Sequence, residues 1–385
     1  MKKKCFLSAC IMGLFLIGFS ASNFDEEENG GGSTPSNKYN IPNDDIAGET
    51  PELPGVPTTI VPNFQLTMET DGDDAIVRVD LTGIQDVETL NWLKLVGTGY
   101  SEQNLWIEVD GTPKSFVVYN KEDENEKTAA DLVFLVDNSG SMGEEANAVA
   151  RDIVSWANKL EASDIDIHFG CVGYSEYGTI NGGINLTDAN SLSNFLNRST
   201  GTRRTVGFEG ADAEILSEKA SAMTRVYDEC GGMALRYADQ NFSFRLGANR
   251  IYVNFTDEPN QPNRNNDYSV EFFKDQENWN TTQGTVHTVY SDWNTSYSES
   301  IGYREWPWRI SEYTGGTVKY VSSSFADVTL EDLPVTGAMQ NSYIIRFTNV
   351  KQYMDGLEHD VKITILSADG KTCAQKTFKV TFTLN

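Results

Sequence analysis

The stretch LVFLVDNSGSMGEE, residues 132–145, places an aspartate and two serines, Asp137, Ser139 and Ser141, at alternate positions directly after five apolar residues. Alternate positions in an extended segment turn side chains to one side, and Gly140 lets the backbone curl around them. One carboxylate and two hydroxyls form a hard, oxygen-only donor set, suited to Mg²⁺ first and also to Mn²⁺ or Ca²⁺, and unsuited to zinc. Helix capping is the competing reading: Ser141 would be the N-cap, with Glu144 and Glu145 in the acidic first turn. Capping leaves Asp137 and Ser139 unexplained.

A second segment, RIYVNFTDEPNQ at 250–261, repeats the arrangement, an apolar run ending in Thr256 and Asp257. Two carboxylates brought together in a partly dry crevice repel unless a cation or a proton lies between them. The loop after Asp257 should overhang such a site, which makes Asn260 a candidate ligand contact.

These residues need strands that end at a common place. LVFLV, IDIHFGCVGY, RIYVNFT, TVHTVYS and TVKYVSS are short apolar runs typical of parallel strands covered on both faces. Between them, Ala146, Val149, Ala150, Ile153, Trp156, Ala157 and Leu160 follow helical spacing. Strands alternating with helices predict an α/β domain with a doubly wound, mostly parallel sheet over 127–330, whose ligands collect at the strands' carboxyl ends. The flanks, 56–126 and 331–385, show two-residue alternation with Asp110-Gly111 and Asp369-Gly370 turns. They are expected to combine into one antiparallel β-sandwich, with Phe116 and Val118 opening the strand that returns from the first turn.

The ordered set of motifs resembles a von Willebrand factor A domain, whose metal-ion-dependent adhesion site uses an Asp-x-Ser-x-Ser loop and a later strand-end aspartate. The segment SEYTGGTVKY, 311–320, is similar to the family's Gly-Gly turn into its last strand. The resemblance covers about half of the chain. It implies a divalent cation held by Asp137, Ser139, Ser141 and Asp257, with a position left open for a partner's carboxylate. The family's threonine ligand falls in DECGGMALRYA at Glu229, which either coordinates or favours a helix N-terminus. Glu144 and Glu145 stand where some relatives hold an adjacent cation. Neutral serine ligands would leave the ion more of its charge for an outside carboxylate.

Composition narrows the function. The chain has 56 acidic and 30 basic residues, a formal charge of -26, so its average field repels phosphate backbones and nucleic acid is not an expected partner. Residues 1–22 read as an export signal, and 23–55 as an acidic Gly/Pro/Ser tether. Cys10 in LSAC leaves a lipid anchor open, and no later segment reads as a transmembrane helix. Cys171, Cys230 and Cys373 do not describe a disulfide framework, though one bridge is conceivable. No nucleophile elbow, P-loop or dinucleotide-binding glycine pattern is present, so no enzyme activity is expected. YREWPWRISEY, 303–313, offers Trp306 and Trp308 either as ligand contacts or as packing at the sheet edge. The whole layout is similar to exported von Willebrand A proteins of Gram-negative gut bacteria in the Bacteroides group. It points to a cell-surface or periplasmic protein that binds a protein or glycan through its metal. The rival expectations are a structural part of a fimbrial or envelope assembly and a metal-dependent envelope hydrolase.

Overall fold

The computed structural model describes residues 37–54, 63–86, 89–120, 128–162, 165–175, 177–198, 208, 210–291, 298–322 and 330–384. The expected export signal and Cys10 lie outside the described residues. Five strands come first: β1 (Phe64–Asp71), β2 (Asp74–Leu81), β3 (Leu105–Val109), β4 (Thr112–Lys114) and β5 (Phe116–Asn120). The middle holds β6 (Ala129–Asp137), α1 (Gly143–Glu161), β7 (Asp166–Ser175), β8 (Thr179–Thr187), α2 (Ala189–Leu196), α3 (Glu214–Ala222), α4 (Gly231–Asn241), β9 (Asn249–Thr256), α5 (Val270–Lys274), β10 (Thr285–Tyr290), α6 (Trp308–Thr314) and β11 (Val318–Tyr320). Helix α7 (Pro334–Gln340) leads to β12 (Tyr343–Phe347), β13 (His359–Leu366) and β14 (Cys373–Val380).

Alternation along β6 builds the middle of the molecule. Leu132, Phe134 and Val136 face Val149, Ile153 and Trp156 of α1, while Val133 and Leu135 face Met233, Leu235 and Tyr237 of α4. Both faces are therefore buried, as the unbroken apolar run required. The six strands lie in the order β11-β10-β9-β6-β7-β8, and all neighbours are parallel except β7 and β8. Connections run outward in opposite directions from β6 and β9, so these two strands flank the point where the winding reverses.

β8 was not expected. Its sequence, TINGGINLT, hides a strand because Gly182 and Gly183 carry no side chain to alternate. The space explains them: a Cβ on Gly182 would lie 2.0 Å from the Gly210 carbonyl oxygen, and one on Gly183 2.7 Å from that of Cys171.

The outer segments form two antiparallel sheets, β1-β2-β12-β5 and β14-β13-β3-β4, so each sheet contains strands from both ends of the chain. Val77, Val79, Ile345 and Phe347 of one sheet share a core with Ile107, Val109, Ile363 and Ile365 of the other. Asp110 and Gly111 turn β3 into β4 with φ of 48° and 75°, the left-handed pair a two-residue hairpin needs. The returning strand is β4, which corrects the expectation for Phe116 and Val118: they belong to β5, which crosses to the other sheet and pairs with β12. A second correction concerns the tether, of which 37–54 packs against the sandwich. Ile41 is buried, Asp44 accepts from Lys114 Nζ (3.0 Å) and Ser115 N (2.9 Å), and Tyr119 donates to the Tyr39 carbonyl.

The sandwich meets the parallel sheet at the amino ends of its strands. Asn63 Nδ2 donates to the Arg250 carbonyl at the start of β9 (2.8 Å) and to Thr285 Oγ1 at the start of β10 (3.1 Å). Thr128, just before β6, bonds Ser342 through their hydroxyls at 2.8 Å. No described helix is long and apolar enough to cross a membrane.

Candidate functional site

At the opposite, carboxyl ends, β6 stops at Asp137 and β9 at Thr256, in adjacent register across the reversal point. Asp137 is fully buried. Its Oδ1 accepts from the Ser139 N–H (3.0 Å) and its Oδ2 from Thr256 Oγ1 (2.7 Å). Ser139 Oγ lies 3.0 Å from Ser141 Oγ, and Ser141 Oγ donates to Asp257 Oδ1 at 3.0 Å. The structure thus brings Asp137, Ser139, Ser141 and Asp257 into one hydrogen-bonded chain, through the Ser139 N–H and the two serine hydroxyls, that runs from the interior to the surface, where Ser141 is exposed.

Ser141 does not cap α1. The N-cap is Met142, with no side-chain hydrogen bond, so the capping expectation for this serine is corrected. Its hydroxyl is engaged toward Asp257 instead. Glu144 and Glu145 lie in the first turn of α1, and the Glu144 side chain lies outside the described residues.

Electrostatics at this end are unfavourable for bare carboxylates. Burial, with the Asp257 charge second, pushes Asp137 up to about 7. Glu229 is raised well above the ordinary carboxylate range by burial, then by a hydrogen bond with Asp228, then by Asp137. Its backbone and side chain are held by Gln261, whose N–H donates to the Glu229 carbonyl (2.9 Å) and whose Nε2 donates to Oε2 (3.2 Å). Helix α4 is capped at Cys230 without a side-chain bond, so Glu229 is not its cap. Among the described residues no three His, Cys, Asp or Glu side chains gather as a metal-binding group. Glu229 lies close enough to Asp137 for the two charges to act on each other.

The donor chemistry fits a hard divalent ion. Cis ligands of an octahedral ion at ~2.1 Å are separated by about 3 Å, the spacing of Ser139 Oγ from Ser141 Oγ and of Ser141 Oγ from Asp257 Oδ1. The Asn138 amide, 5% exposed between Asp137 and Ser139, has neither its oxygen nor its nitrogen hydrogen-bonded. Buried polar atoms of this kind are costly and concentrate at functional sites.

Asn260 is corrected as a ligand contact. It is 1% exposed, and its amide is spent internally on Gly232 N, Cys230 Sγ, the Tyr268 carbonyl and Glu305 Oε2. Glu305 is the residue that sequence reasoning passed over. Fully buried, it also accepts from Ser269 Oγ (2.5 Å), Val270 N (2.9 Å) and Gly302 N (2.8 Å), tying the 300–305 turn to the loop after β9. A lone acid inside YREWPWR was the available signal. Trp306 and Trp308 stack with centroids 4.5 Å apart, and Trp308 meets Tyr290 edge-on at 5.0 Å. The pair covers the carboxyl end of β10 while staying partly exposed.

Cys171, Cys230 and Cys373 are buried free thiols, and burial pushes Cys230 up to about 12. His287 is a satisfied core histidine, its Nδ1 accepting from the Thr317 N–H at 3.1 Å.

No protein-family model matches the chain, and a search of curated proteins found no match. Among solved structures, proximal thread matrix protein 1 from the mussel byssus aligns over 60% of this chain and 49% of its own, at 10% identity and a TM-score of 0.34. The pilus adhesin SpaC from Lactobacillus rhamnosus GG, in its open conformation, aligns over 82% of this chain and 55% of its own, at 11% identity and a TM-score of 0.32. A second form of that adhesin aligns over 87% and 50%, at 10% identity and a TM-score of 0.29. The chain spans about half the length of each of these proteins.

Proposed function

We propose that this is an exported binding protein of the von Willebrand factor A type that engages a partner through a divalent cation at the carboxyl end of its parallel sheet. The observation that carries this reading is the hydrogen-bonded chain from buried Asp137 through Ser139 and Ser141 to Asp257. Asp137, Ser139 and Ser141 would hold the ion, with Asp257 contacting it directly or through water, and Mg²⁺ suits the spacing best. A bound ion would supply positive charge for a partner's carboxylate or sugar oxygens. The protein's own share is to fix the ligands: Thr256 and the Ser139 N–H orient Asp137, and Gln261 donates to the nearby Glu229 carboxyl. Because the chain of oxygens reaches exposed Ser141, an ion held there would remain open to a partner, which favours adhesion over a purely structural metal.

Calorimetric titration of Mg²⁺, Mn²⁺ and Ca²⁺ into the chelator-treated protein tests the proposal. Saturable heat that disappears in Asp137→Ala and weakens in Ser139→Ala is the expected result. Equal heats in wild type and Asp137→Ala would refute it.

A further inference from the structure

A cleft of about 370 Å³ opens beside the oxygen cluster, with Tyr227 and Tyr303 among its walls and Asp228, Gln261, Asn263 and Arg304 presenting polar groups. Gln261 of its wall also bonds Glu229, whose charge and that of Asp137 act on each other. Its volume lies within the ~300–1,000 Å³ typical of small-ligand pockets.

We propose that this cleft is a saccharide subsite, taking a neutral pyranose ring next to the cation position. The chemistry of the lining selects that class. Tyr227 is 78% exposed and Tyr303 42%, an uncommon display of two large aromatics on one opening. Aromatic faces suit the C–H faces of a sugar, while amide, carboxylate and guanidinium groups match its hydroxyls in both donor and acceptor sense. None of the described lining side chains is aliphatic, so the cleft lacks the apolar anchor pocket a peptide side chain requires. Asp228 and Arg304 set opposite charges around it, which favours a neutral polyol over an anion.

The rim is also held in place. The Arg264 guanidinium lies 4.8 Å from the Tyr303 ring centroid, and its Nε donates to the Tyr303 hydroxyl. Asn263 and Arg264 are consecutive left-handed residues, φ 46° and 66°, in a loop whose Arg264 N–H donates to the Gly302 carbonyl at 2.5 Å. Strained non-glycine backbone of this kind persists where its surroundings over-determine it, commonly at ligand clamps.

The location rests on the cation reading, but the occupancy does not, and the experiment separates them. Saturation-transfer difference NMR on the purified chain would use methyl α-mannopyranoside, methyl β-galactopyranoside and N-acetylglucosamine as probes. The expected result is transfer to at least one sugar, with affinity about two- to tenfold weaker in Tyr227→Ala and in Tyr303→Ala, the worth of one aromatic contact. Tyr227 is largely exposed, so its replacement should leave thermal melting unchanged and exclude misfolding as the cause. No transfer to any of the three sugars, or equal transfer in both alanine variants, overturns the subsite. Parallel Mg²⁺ and Ca²⁺ calorimetry reports on the cation site alone: metal heat without sugar transfer sinks only the cleft, and tyrosine-dependent transfer without metal heat sinks only the cation reading.

Discussion

Asp137 occupies a place where a negative charge is costly, fully buried and facing a second carboxylate at Asp257. Its position was legible because Asp137, Ser139 and Ser141 sit within five residues, so local backbone geometry alone gathers them. Asn260 was not, because its burial depends on Glu305, 45 residues away. A separate buried group, His287, adds an acid-sensitive contribution to stability. Burial lowers His287 from 6.5 to about 4, so its contribution to stability is fully present above pH 6.5, where the unfolded chain is also neutral. As pH falls from 6.5 to about 4 the unfolded chain takes up the proton first, and about 3 kcal/mol is lost across that window. His287→Gln should flatten that part of the melting-temperature profile between pH 4 and 6.5. An unchanged slope would assign the acid sensitivity elsewhere.

At the scale of elements, two strand ends and two loops build the site. β6 and β9 bring Asp137 beside Thr256 in register, and Glu305 clasps the 300–305 turn to the loop after β9. The clasp carries a prediction. Glu305→Leu removes the acceptor from buried donors on Asn260, Ser269 and Val270 and from the half-buried Gly302 N–H, and each buried donor left unpaired costs about 1–3 kcal/mol. Urea denaturation should show a loss of at least one such increment, and hydrogen exchange should quicken at Val270 and Gly302 before it does in β6. Uniform protection in the variant would show that the loops hold themselves.

For the whole molecule, the sandwich and the oxygen cluster lie at opposite ends of the parallel sheet. Asn63 reaches Arg250 and Thr285 where β9 and β10 begin, whereas Thr256 and Asp257 lie where β9 ends. Eight residues of strand separate these ends by roughly 26 Å. Asn63→Ala should therefore cost about 1–3 kcal/mol of stability by removing the donor to the Arg250 carbonyl and to the buried Thr285 hydroxyl, while any cation affinity stays at the wild-type value. Denaturant titration and calorimetry on the same sample check both halves. A fall in affinity would mean that the ends communicate through β9.

Much of the architecture was readable from periodicity. Unbroken apolar runs marked β6, β7, β9 and β10, because strands buried on both faces need no polar alternation. Two-residue alternation marked the outer strands, because one face of each meets the sandwich core. Sequence alone did not reveal β8, whose glycines are required by the approach of Gly210 and of the β7 backbone and so carry no local pattern. Nor did it reveal the folding of 37–54 onto the sandwich, the crossing of β5 to the second sheet, or the clasp at Glu305. Each depends on a partner distant in the chain. Local chemistry singled out the carboxylate and the two hydroxyls, and the winding order of the sheet decided that the ends of β6 and β9 lie side by side.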